Sequence, residues 1–154
     1  MSSKYFLLCC AIAANLVLTI AAGCATRASR EVAAASSVPL ADTNWRLTQL
    51  GDEMIPAAAG EPVGMQLQSQ NTRVVGFSGC NRMFGAYALD GQSLKFAQVG
   101  GTKMACADQG RMRLEQRYLE MFSSAAGWRI SGQTLELLDA QGKPVATFVA
   151  AATG

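Results

Sequence analysis

The chain has 154 residues, 13 of them basic and 11 acidic, for a formal net charge of +2, and it contains no histidine. So even a charge balance gives no basic footprint for nucleic acid. Without histidine, Ser-His and Cys-His catalytic pairs and histidine-containing zinc sites are excluded within this chain.

The first segment reads as a targeting signal. Lys4 supplies a positive start, Phe6 to Ile20 is mostly apolar, and Ala21-Ala22-Gly23-Cys24 closes it with small residues. Ending on cysteine makes residues 1–23 resemble a bacterial lipoprotein signal peptide. That resemblance implies cleavage before Cys24 and lipid on Cys24, which anchors the protein to the membrane. The alternative is an uncleaved helix over Tyr5 to Gly23, barely the ~20 apolar residues that a span requires. Ala25, not aspartate, follows Cys24, which points to the outer membrane and a periplasm-facing lipoprotein. Removing residues 1–23 from the 154 leaves 131, and with Lys4 gone twelve basic residues face eleven acidic ones. That length suits one domain with its own core.

Residues 24–41, rich in Ala and Ser, read as a flexible tether that reaches about 55 Å when stretched. Residues 42–154 then form the domain. "NWRLTQL" alternates Trp45 and Leu47 against Arg46 and Thr48, as a half-buried strand does. "DEMIPAAAGEP" is a loop, broken by Pro56, Gly60 and Pro62. "VGMQLQ" and "TRVVGFSG" are the next strands, joined by the polar Ser69-Gln70-Asn71. "MFGAYAL" and "SLKFAQ" follow, with Asp90-Gly91 as a hairpin turn.

One strong helix is expected at Gln109–Ala125. Leu114, Tyr118, Met121, Phe122 and Ala125 form its apolar stripe, while Arg113, Glu115, Gln116 and Arg117 lie elsewhere. Asp108 caps its start and Gly127 its end. "WRIS", "TLELLD" and "PVATFVA" complete the chain, the last two joined by Ala140-Gln141-Gly142. About five strands, a helix and three strands follow one another in short hairpin-spaced pieces, and the long crossovers that parallel strands need are largely absent. The expected fold is α+β but mainly β: a strongly twisted antiparallel sheet, or partial barrel, with one helix packed on it.

Five cysteines are present. Cys9 and Cys10 leave with the signal and Cys24 takes lipid. Cys80 and Cys106 remain in an oxidising space, where a leftover pair reads as one disulfide. A reactive thiol at Cys80 is the alternative. Gly76-Phe77-Ser78-Gly79-Cys80 approaches a nucleophile elbow but lacks its final glycine and its base. No catalytic residue, metal site or cofactor pattern emerges. Asp52, Glu53, Asp90 and Asp139 sit in loops and turns, where acids serve turn geometry. Phe84 and Met104 read as core.

"WRLTQL", "FSGCNRMFGAYALDGQSLKF", "GTKMACADQ", "LEQRYLEMF" and "WRISGQTLELLDAQGKPVATF", in that order, resemble the META domain family, which includes the HslJ-like heat-shock lipoproteins of bacteria. Gly79-Cys80-Asn81, Thr102-x-Met104-Ala105-Cys106 and the helix followed by Trp128 and a final hairpin are its specific parts. The resemblance implies an antiparallel sheet with a helix in a cracked barrel, a link to stress tolerance and antibiotic resistance, and no catalytic site. The function expected is therefore non-enzymatic: a tethered module that binds an unidentified envelope protein or component, with Asn81, Arg82 and Lys103 as contact residues. The alternative is a carrier of a small apolar ligand or lipid, held in a barrel cavity lined by Met65, Leu67, Phe96, Met121 and Phe122.

Overall fold

A computed structural model describes residues 37–57 and 60–151. The signal peptide, Cys24 and most of the tether lie outside the described residues. The described residues fall within one compact unit, Ala34–Gly154. It contains strands β1 (Trp45–Leu50), β2 (Glu53–Met54), β3 (Gly64–Gln68), β4 (Arg73–Phe77), β5 (Arg82–Asp90) and β6 (Ser93–Gly101). Helix α1 (Gln109–Ser124) and strands β7 (Gly127–Ser131), β8 (Thr134–Leu138) and β9 (Pro144–Ala150) follow.

The sheet is antiparallel throughout and returns on itself. Its order runs β2-β1-β3-β4-β5-β6-β7-β8-β9, and β1 pairs again with β9. The ring is uneven. β6 and β7 share a single register pair, Ser93 with Gly127, whereas β5 and β6 pair along most of their length. Past that one pair the two strands part, and α1 packs against β6 and β9. Among the described residues the result is the mainly β partial barrel with one helix that the strand pattern predicts.

Alternation builds the core. Trp45 and Leu47 on β1, Met65 and Leu67 on β3, Val74 on β4, Met83 and Tyr87 on β5, and Leu135 and Leu137 on β8 all point inward. The helix closes this interior with Tyr118, Met121 and Phe122. Phe122 meets Phe96 and Tyr118 edge-on, at centroid distances of 4.8 and 5.1 Å. The buried core runs from Leu40 to Phe148, so the unit carries its own core.

Four details differ from the sequence reading. The nominal loop after β1 contains β2, whose two residues pair with Gln49 and Leu50. Packing also reaches back into the expected tether: Leu40 is buried, its carbonyl accepts from Trp45 Nε1 at 2.8 Å, and Val38 N donates to Gly132. Gly127 does not end the helix. Ala125 caps it in an extended conformation, and Gly127 opens β7. Phe84 and Met104 are not core: they are 44% and 67% exposed. Strand alternation explains Phe84, because Met83, Gly85 and Tyr87 take the inward face of β5.

Two glycines are required by close backbone approach. A Cβ on Gly64 would stand 2.2 Å from the Trp45 carbonyl oxygen, and one on Gly76 2.1 Å from that of Gly64. Both sit where β1, β3 and β4 crowd together. Gly76→Ala should therefore lower stability by about 1–3 kcal/mol through overpacking. Gly100→Ala, with open space around the new methyl, should stay within about 0.5 kcal/mol. Urea unfolding followed by tryptophan fluorescence reads both.

Candidate functional site

The segment from Ser78 to Asn81 bridges β4 and β5 beneath the helix. Gly79 takes φ +123°, a conformation that favours glycine, and this turns the chain sharply. The turn aims a cluster of donors at one carboxylate from the helix. Glu115 Oε2 accepts from the Ser78 hydroxyl at 2.7 Å, from Cys80 N at 3.1 Å and from Asn81 N at 2.9 Å. Its other oxygen accepts from Asn81 Nδ2 at 2.9 Å. Ser78 also closes the turn locally, its backbone N–H donating to the Asn81 carbonyl at 2.8 Å.

Asn81 carries the network onward. Its side-chain oxygen accepts from the Thr102 hydroxyl and from Met104 N, both at 2.7 Å. This one buried side chain thus ties β5, the segment after β6 and the helix together. The sulfurs of Cys80 and Cys106 lie at bonding distance, 2.18 Å, with Cα atoms 5.8 Å apart. That places the cysteine pair beside the same network. Asp108 then starts the helix, its Oδ1 accepting from Gly110 N and Arg111 N.

Burial pushes the Glu115 carboxyl up, but the hydrogen bonds from Ser78, Asn81 and Cys80 outweigh that and hold it below its ordinary value. The carboxylate is an acceptor whose oxygens are already engaged, and neither Ser78 nor Asn81 has an idle polar group facing solvent. The arrangement binds elements together.

A family model described as META domain matches residues 38–152. The chain belongs to the META domain family. It is 32% identical to a protein from Burkholderia xenovorans solved by NMR, with a TM-score of 0.61, over 74% of this chain and 85% of that one. A second NMR structure, 22% identical with a TM-score of 0.57, covers 72% of this chain and 91% of that one, and bears on the fold alone. No curated protein matches.

In this META domain the expected contact residues separate. Asn81 is buried in the network, and its bonds are internal. Arg82 and Lys103 are exposed. Arg82, at the start of β5, pairs with Glu61 at 3.5 Å. The residues imagined as an interior cavity lining instead pack: Met65, Leu67, Met121 and Phe122 belong to the buried core, with Phe96 against it.

The open space is outside the barrel. A groove of about 550 Å³ runs over β1, β3, β4 and β5, lined by Arg46, Gly64, Val75, Phe77, Arg82 and Phe84 among others. A second, of about 430 Å³, lies between α1 and the segment after β2, where Ile55, Pro56 and Leu114 line it. Sequence reasoning missed both the first groove and Glu115. The signal for the groove was in the strand glycines and the outward position of Phe84. For Glu115 it was the seven-residue spacing to Phe122, which puts the acid two turns earlier on nearly the same helical face as a core residue.

Glu115→Ala strands several donors at once, and each buried unpaired group costs about 1–3 kcal/mol, so the variant should be severely destabilised. The pH sign follows from a folded-state value held below the reference 4.5. The unfolded chain takes up the proton first as pH falls. This contribution is therefore complete above about pH 5 and is lost as pH falls through the folded-state value. Urea midpoints from pH 7 to 3 should show that loss in the native sequence and a smaller acid slope in Glu115→Gln.

Proposed function

We propose that this META domain is a non-catalytic binding module, held by lipid on Cys24 at the periplasmic face of the bacterial outer membrane. There it engages an envelope protein or envelope component during stress or antibiotic exposure. The observation that carries this reading is the use of the most distinctive residues. Cys80 faces Cys106, while Ser78, Asn81 and Glu115 satisfy one another, so the Gly79-Cys80-Asn81 motif serves as scaffold. The outer-face groove, with Phe84 and Arg82 at its wall, stays available for recognition. Lys103 is exposed as well, in the segment held by Asn81.

Cys80 and Cys106 are read as a disulfide that stabilises the domain by about 3–4 kcal/mol on the chain-entropy model. Intact mass of protein extracted from membranes tests anchor and disulfide together. The expected species begins at lipidated Cys24, and neither Cys80 nor Cys106 alkylates until reduced. Free thiols or an unlipidated chain would contradict the reading. A photo-crosslinker placed at Phe84 in living cells should yield a discrete adduct, and one at Lys143, on the distant β8–β9 hairpin, should not. No adduct from position 84 would remove the groove as the contact face.

The reading of an interior carrier has one observation in its favour. The Tyr118 hydroxyl is buried with no hydrogen-bond partner among the described residues, and burial pushes its phenol far up. A filled interior predicts that Tyr118→Phe changes stability by less than about 0.5 kcal/mol or raises it. An interior ligand predicts that this variant loses a molecule that co-purifies with the native domain, which native mass spectrometry detects.

A further inference from the structure

The outer-face groove has a chemistry of its own. Its lining includes bare backbone at Gly64 and Gly76, where neighbouring strands approach too closely for a Cβ. Val75 and Phe77 point outward from β4, opposite in sense to buried Val74, and stand half-exposed beside Phe84 on β5. Val75 pairs with Phe84 across the two strands, so the aromatic and branched side chains form one continuous apolar wall. About 550 Å³ falls within the ~300–1,000 Å³ range of small-molecule sites.

The charges around this wall are unequal. Arg82 is offset by Glu61. Arg46, outward on β1 between buried Trp45 and Leu47, is half-buried and makes no side-chain hydrogen bond or ion pair among the described residues. The groove is thus lined by two guanidinium groups and one carboxylate, Glu61. A guanidinium beside an apolar wall favours an anion there, since charge-assisted hydrogen bonds are the strong ones and Arg presents a planar fork of donors.

We propose that this groove binds a small amphiphile with a single anionic group on an apolar body. The anion meets Arg46, and the body lies along Val75, Phe77 and Phe84. The proposal rests on the reading of the domain as a binding module and names the ligand class of its contact face. Such an anion could belong to a free single-chain carboxylate or to the head of a bilayer lipid.

The test uses the folded unit from Ala34 onward, with amide shifts followed by NMR. The probes are decanoate below its micelle concentration, neutral decanol, and vesicles of phosphatidylglycerol or of phosphatidylcholine. Saturable shifts at Gly64, Gly76, Phe77 and Phe84 with decanoate support the proposal and assign a free carboxylate. The same shifts only with phosphatidylglycerol vesicles support it and assign a lipid head group. Arg46→Gln should weaken binding about tenfold or more, as expected for a hydrogen bond to a charged group. Phe84→Ser, at an exposed position, should weaken it without unfolding the domain, and Lys143→Gln should leave it unchanged. Silence from both anionic probes, equal binding of decanol, or undiminished affinity in Arg46→Gln overturns the proposal. An adduct from the crosslinker at Phe84 in cells would still stand in that case, so this failure is separable from failure of the binding-module reading.

Discussion

The Glu115 carboxylate is the point on which the rest of the domain depends. It lies on a helix that otherwise meets the sheet through apolar side chains and an exposed ion pair between Arg117 and Glu53 of β2. Its two oxygens take four donors from Ser78, Cys80 and Asn81, and these fix the helix in rotation as well as in distance. Asn81 then extends the hold to Thr102 and Met104. The crack between β6 and β7 makes this anchoring necessary. Strand pairing fails there, and a helix covering an open sheet needs directional contacts to choose one seat. The cysteine pair reinforces the same junction.

This anchor gives the motif its meaning. A short run with cysteine, asparagine and arginine invites a chemical reading, yet three of its neighbours are consumed in mutual satisfaction. Asn81 has the strongest case as scaffold, since both ends of its amide are engaged and the residue is buried. Only Arg82 escapes to the surface, because it begins β5 on the outward face. Burial and exposure thus divide between adjacent residues, one turning in and one turning out.

Much of the fold was legible because alternation and helical spacing are strong local signals. β1, β3 to β6, α1 and the final three strands follow from them, as do Asp108 and the Asp90-Gly91 turn. The misses have physical causes. β2 is two residues long and exists only through pairing with β1, which no local pattern records. Leu40 and Val38 join the core by tertiary contact from a stretch whose composition suggests a tether. Phe84 looked like core because it is aromatic, whereas its strand phase turns it outward. Glu115 looked like a solvated helical acid, and only the fold brings Ser78 and Asn81 to it from more than thirty residues away. The groove was hidden for a related reason: its lining comes from four strands that only the pairing brings together.

The most direct test of the central claim is amide hydrogen exchange at Cys80, Asn81 and Met104, the three backbone donors that meet Glu115 or Asn81. If the network anchors the domain, these amides exchange only through global unfolding, at the same rate as core amides such as that of Leu67. In Glu115→Gln they should exchange faster than the rest of the core. Exchange at the rate of an exposed loop in the native protein would contradict the account, since it would show the segment opening while the sheet stays folded.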